Sequence, residues 1–192
     1  RWRGGAGEAP MVDLRGALLA ALLVGACGTE APPWVEVDAA GIDPGPVCVS
    51  GRYWSQGDRG SNHMHPGRDC IGCHTATQHG PRFTVAGTLY NAGHEVDECL
   101  GYDSDVQAGQ SAEVELTDAT GQRFFVIANR AGNFYTTYPL RFPLRRVRVF
   151  SPGGQVIEMN TPAPHGDCNA CHTRFGTITQ SGESPGRVIV PR

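Results

Sequence analysis

Alternation of apolar and polar positions is the strongest regularity between residues 82 and 160. The runs RFTVAGTLY (82–90), AEVELT (112–117), QRFFVIA (122–128), NFYTTY (133–138), RRVRVF (145–150) and QVIEM (155–159) are short and rich in β-branched and aromatic residues. The turn sequences DATG, NRAGN and SPGG punctuate them. In RRVRVF a period of two points Val147 and Val149 inward and Arg146 and Arg148 to solvent. No stretch sustains a helical period. Short strands at this spacing predict a mainly β chain: a small antiparallel β-sandwich or barrel, flanked by loop-rich or short-helical segments.

Upstream of this region the pattern changes. Residues 1–10 precede the first methionine and read as an upstream extension, with Met11 as the start. The apolar run 16–26 follows Arg15 and falls short of the ~20 residues that a membrane span needs. It has the character of a signal-peptide core, although Asp13 weakens the basic segment before it. Leu23-Val24-Gly25-Ala26-Cys27 resembles a lipobox. That resemblance implies cleavage before Cys27 and a lipid on its thiol, and Gly28 in place of aspartate implies the outer membrane. An ordinary secretory signal, with Cys27 incidental, is the alternative. The organisation expected is then an extension and lipoprotein signal at 1–26 and a lipidated, proline- and acid-rich tether at 27–46. A first cysteine–histidine segment at 47–81, the sandwich at 82–160 and a second cysteine–histidine segment at 161–192 follow.

Composition narrows the function. The 192 residues fit one domain, and 26 glycines with 14 prolines exclude a long-helix bundle. A net charge of −3 argues against a dedicated nucleic-acid binder. All 16 basic residues are arginine, which excludes lysine-based catalysis. Seven cysteines and seven histidines point instead to an oxidising compartment, a metal or haem.

The chemistry sits at Cys70-Ile71-Gly72-Cys73-His74 and Cys168-Asn169-Ala170-Cys171-His172. C-x-x-C-H is the attachment signature of c-type haem: two thiols reach the two vinyl groups and the adjacent histidine offers the iron a nitrogen. Two occurrences predict two covalent haems, with Cys70, Cys73, Cys168 and Cys171 as attachment points and His74 and His172 as proximal ligands. A zinc ribbon is disfavoured, because its cysteine pairs stand ~15–20 residues apart. Two C-x-x-C disulfides lack a thioredoxin-like βαβ context. With Cys27 lipidated, Cys48 and Cys99 remain and are expected to pair; two free thiols are the alternative.

The central segment VAGTLY…AEVELTDATGQRFFVIANRAGNFYTTY resembles the transthyretin-like or carboxypeptidase-regulatory-like β-sandwich modules, over roughly residues 83–150. Such modules serve as scaffolds or binding domains. The flanks GRYWSQGDRGSNHMHPGRDCIGCH and GDCNACHTRFGTITQSGESPGRVIVP resemble exported dihaem c-type cytochromes of Gram-negative bacteria. That resemblance implies electron transfer by a lipoprotein of the outer membrane, on its periplasmic or cell-surface side. Its partners would be other redox proteins or further copies of itself, in the latter case as part of a longer haem wire, with no nucleic acid involved. The rival is a peroxidase-like oxidoreductase or a ligand sensor with one open iron site, with His79, His94 or His165 as acid–base candidates.

The distal positions are expected to be filled by Met64 and Met159, each a few residues upstream of a motif and each matched in the resemblance. Pro66-Gly67 and Gly166 supply the turns. His65 and His165 are the alternatives, and His63 and His94 stand further back. Arg141, Arg145, Arg146 and Arg148 could pair with haem propionates or form the solvated face of a strand. An up-and-down traverse of six strands would return both motifs to one end of the sandwich.

Overall fold

The computed structural model describes residues 47–105, 108–179 and 182–192; the extension, signal, Cys27 and tether expected at 1–46 lie outside them. All six expected runs are strands: β1 (Val85–Tyr90), β2 (Glu113–Thr117), β3 (Arg123–Ile127), β4 (Asn133–Thr136), β5 (Arg146–Phe150) and β6 (Val156–Glu158). Both cysteine motifs lie on short helices, α1 (Cys70–Thr77) and α2 (Cys168–Cys171). Three further short strands follow: β7 (Thr177–Thr179), β8 (Gly182–Ser184) and β9 (Val188–Ile189).

The strands build two sheets and a hairpin. One sheet runs β3-β2-β5-β6, antiparallel throughout; the other runs β4-β1-β9; β7 and β8 pair with each other. Alternation explains how the sheets meet. Val85, Leu89 and Phe134 from one sheet join Val114, Leu116 and Val149 from the other, with Leu140 and Leu144 from the connection, in a single core. Burying each such side chain contributes about 1.5–3 kcal/mol, so the mainly β sandwich expected from the pattern has a sufficient driving force.

Three features depart from the sequence reading. Residues 161–192 were expected to lie outside the sandwich, yet β9 pairs with β1, Leu89 opposite Val188 and Tyr90 opposite Ile189. That pairing is parallel, so the sandwich is not wholly antiparallel; two residues are too few to display a period. Arg148 does not face water freely. The register sets it beside Glu115, which is 1% exposed, and the guanidinium covers that carboxylate. Arg146 does stay exposed, 3.1 Å from Glu158. Finally, β1 is buried along its whole length, on the outer as well as the inner face. Both α1 and α2 pack against it.

Cys48 and Cys99 form a disulfide with Cα atoms 5.4 Å apart, and a bridge from Tyr53 to Cys99 docks the leading segment alongside. The crosslink closes a loop of sequence separation 51, for which chain entropy gives about 4 kcal/mol at most. Cys48→Ser with Cys99→Ser should therefore lower stability by about 2–4 kcal/mol in urea titrations. The same loss should follow when the parent is titrated under reducing conditions.

Candidate functional site

Each motif helix begins in the same way. Asp69 accepts from Gly72 N at 2.5 Å and Asp167 from Ala170 N at 3.2 Å, so an aspartate directly before the first cysteine caps each helix. Helical spacing of three then sets the two cysteines of a motif on one side of the turn. The second helix is seated by a backbone contact, Ala86 N donating to Gly166 O at 3.0 Å.

Two cavities open beside these helices. The first, about 1340 Å³, lies on the outer face of the three-stranded sheet and is lined by Cys70, Cys73, His74, Met64, Phe83 and Tyr135 among others. The rings of His74 and Phe83 lie 4.8 Å apart, as do those of Phe83 and Tyr135, giving an aromatic wall. The second, about 400 Å³, lies at the mouth of the sandwich and is lined by Cys168, Cys171 and His172 opposite Val147, Val149 and Ile157. Met159, just past the end of β6, lines the same cavity. The first exceeds the roughly 300–1,000 Å³ usual for a small-molecule pocket, and the second falls within that range.

The motif histidines are oriented alike. His74 Nδ1 lies 2.9 Å from Pro81 O, and His172 Nδ1 lies 2.9 Å from Gly186 O and from Ser184 Oγ. A carbonyl only accepts, so the proton sits on Nδ1 and the lone pair on Nε2. This is the arrangement that metal-bound histidines use to fix tautomer and direction. Gly80 makes it possible for His74: a Cβ there, at φ +78°, would lie 2.8 Å from the imidazole. Burial holds the His172 pKa below its ordinary value, keeping that ring neutral.

The sulfurs point the same way. Burial, with the charge of Asp167 adding to it, pushes both Cys70 and Cys168 up to about 12. They are thiols at neutral pH, without the low pKa of an exchanging C-x-x-C pair, and none of the four motif cysteines is in a disulfide. The two pairs line separate cavities instead of surrounding one point, as a zinc site would require. Among the described residues, three close donors gather at Cys48, Glu95 and Cys99, where two sulfurs are already joined. Each cavity thus offers two thiols, a ring nitrogen with a free lone pair and a methionine, a donor set that fits a covalently attached haem.

The alternative distal residues fare differently. His65 has Nδ1 at 3.0 Å from the Glu98 carboxylate and Nε2 at 3.0 Å from Asp58 Oδ1, so neither nitrogen is free for iron. His165 lines the second cavity with Met159, its Nε2 3.9 Å from Cys171 Sγ. His63 is half-buried, and exposed His94 is bound through Nδ1 to Arg174 O at 2.7 Å. Exposed His79 lines the first cavity. The propionate expectation for Arg146 and Arg148 does not fit, because both lie on the sheet face opposite Val147 and Val149 and pair with Glu158 and Glu115. Arg141 and Arg145 are exposed.

The two motifs lie side by side. Asn169, between the second pair of cysteines, donates to Arg68 O at 2.8 Å and comes within 4.0 Å of Cys70 Sγ. Phe134 and the buried Arg187 wall both cavities, and Arg187 Nη1 donates to Gly67 O and His172 O at 3.1 and 3.2 Å. The strand-count argument does not apply to this fold, since the chain crosses between sheets instead of running up and down one. Asp69 and Asp167 also meet. Burial, then the hydrogen bond and charge of Asp69, raises Asp167 from 3.8 to about 7. The native state therefore binds that proton more tightly, and the resulting stabilisation is full below pH 3.8 and lost as pH rises through about 7. Asp167→Asn keeps a capping oxygen and removes the titration. In urea titrations it should flatten the decline over that window and be about 1 kcal/mol more stable than the parent at pH 8, solvent screening limiting the gain.

Sequence reasoning missed Arg187, Gly80, Thr88 and Asn133, while Asp167 and Asn169 entered only within the flank and motif sequences. The repeated Asp-Cys-x-x-Cys-His was the available signal for the caps; nothing local marks the others. No family model, curated protein or solved structure matches this chain. Among the described residues no helix is long and apolar enough to cross a membrane.

Proposed function

We propose that this chain is a dihaem c-type electron carrier. The observation that carries the reading is the parallel construction of the two sites: each C-x-x-C-H motif lines its own cavity, and each motif histidine has Nδ1 tied to a backbone carbonyl. Cys70 and Cys73 would hold one haem and Cys168 and Cys171 the other. His74 and His172 would be the proximal ligands, with Met64 and Met159 distal. The bound haem supplies reversible one-electron exchange at iron.

The chain's own residues prepare that exchange. The Nδ1–carbonyl bonds raise the donor strength of the imidazoles and fix their rings, and the aromatic and aliphatic walls exclude water. Methionine sulfur at the distal position favours comparatively high potentials. The adjacency of Cys70 and Asn169 supports direct exchange between the two centres, so the protein would relay electrons to redox proteins or to further copies of itself. Placement at the outer membrane rests on the lipobox resemblance around Cys27.

A pyridine haemochrome assay with iron per chain, on protein exported through a c-type maturation system, tests the reading. Two c-type haems per chain are expected, and zinc or no haem would overturn it. One observation favours a second reading at the first site. That cavity is much the larger of the two and is lined by His79, which would leave room for a small ligand beside a bound haem. A rapid shift of the ferrous spectrum on adding carbon monoxide would support that ligand-binding role; an unchanged spectrum supports two closed, electron-carrying sites.

A further inference from the structure

The loop carrying Met64 is held from beneath by three side chains that share no segment of sequence. Thr88, on the outer side of β1, is fully buried, and Asn133 on β4 and Asn169 on α2 are 6% and 3% exposed. The Thr88 hydroxyl uses all of its capacity: it donates to Asn133 Oδ1 at 2.8 Å and accepts from Gly67 N at 3.0 Å and Asn169 Nδ2 at 3.2 Å. Asn133 Nδ2 donates to Met64 O at 3.0 Å. Asn169 Nδ2 donates to Arg68 O at 2.8 Å, and its Oδ1 accepts from Thr88 N at 3.0 Å. Met64, Gly67 and Arg68 are thus each anchored by a different member of one network.

This network is not part of the apolar core. It sits on the face of the three-stranded sheet away from the apolar centre, where buried polar groups are tolerated only when every partner is satisfied. Its satisfied geometry specifies one position for the loop. A methionine sulfur is a weak ligand on a flexible side chain, so its backbone must be fixed if it is to stay on one iron.

We infer that Asn133, Thr88 and Asn169 are positioning residues that hold Met64 as the distal ligand of the first haem, so that a residue within the second haem motif controls ligation at the first. The inference rests on the dihaem reading. It makes Asn169 a cross-site residue: it lies between Cys168 and Cys171, yet its hydrogen bonds reach the approach to Cys70.

The test uses the full exported protein in a Met159→Ala background, where the near-infrared sulfur–iron(III) band reports Met64 alone. Thr88→Val keeps the side chain's shape and removes the hydroxyl; it should abolish the band while leaving two haems by pyridine haemochrome. Thr88→Ser keeps the hydroxyl and should restore the band. Asn169→Ala should weaken the band and lower the potential of the first haem. Band and potentials unchanged in both Thr88→Val and Asn169→Ala overturn the inference, even if Tm falls, because that reduces the network to fold stability. A Met159→Ala protein with two haems and no band also overturns it, while leaving the haem reading intact; absence of haem defeats the reading itself.

Discussion

On the dihaem reading proposed above, Gly166→Ala is expected to cost the protein its second haem. A Cβ at this position would lie 1.9 Å from Thr84 O and 2.9 Å from Val85 Cα. Both neighbours are backbone at the start of β1, which is buried and cannot withdraw. The methyl group therefore separates the strands, breaking the Ala86 N–Gly166 O bond and the adjoining bridge between Ala86 and Asp167. Overpacking of this kind costs about 3 kcal/mol, more where backbone meets backbone. Because α2 begins directly afterwards, Cys168 and His172 lose their seat. Haem per chain should fall from two to one, with urea titration recording the destabilisation. Gly60→Ala, where a Cβ meets nothing within 4 Å, is the control and should keep both haems.

On the same reading, Met64→Ala and Met159→Ala should each remove one haem's share of the near-infrared band of the oxidised protein, and the double variant should remove it all. Both methionines line the cavity of the motif that follows them, and His65 is held by carboxylates at both nitrogens. At the second site His165 lines the same cavity as Met159, so the comparison is direct. His165→Ala should leave the band at full strength. If the parent shows no such band, or if His165→Ala alters the second haem's spectrum while Met159→Ala does not, ligation at that site belongs to histidine.

What the sequence disclosed, and what it withheld, divides by the range of the interaction. Six strands were legible because alternation is local: Phe124 and Val126 turn in while Phe125 and Ile127 remain outside, as a period of two requires. The two C-x-x-C-H motifs were legible because each lies within five consecutive residues. The Cys48–Cys99 pairing was reachable by elimination. In contrast, Glu115 reads as a solvent-facing acid, and its burial follows from Arg148 lying beside it in the register. Arg187 reads as one more surface arginine, yet its donors reach Gly67 O, His172 O and Glu95 O across the fold. Thr88, Asn133 and Asn169 are ordinary strand or turn residues until the chain brings them together.

The burial of β1 on both faces bears on the order in which the molecule can be made. Its cover arrives from both sides in sequence: the loop at 62–68 from before it, α2 and β9 from long after. The bonds that close it span 101 positions from Arg68 to Asn169 and 120 from Gly67 to Arg187. Contacts of such separation form late, since loop closure must precede any gain from them. A chain emerging from its N-terminal side would therefore display α1, with Cys70 and Cys73, beside an unfinished sheet while the remainder was still being delivered. On the dihaem reading proposed above, slow closure would keep both C-x-x-C-H sequences within reach of the machinery that joins each thiol to a vinyl group.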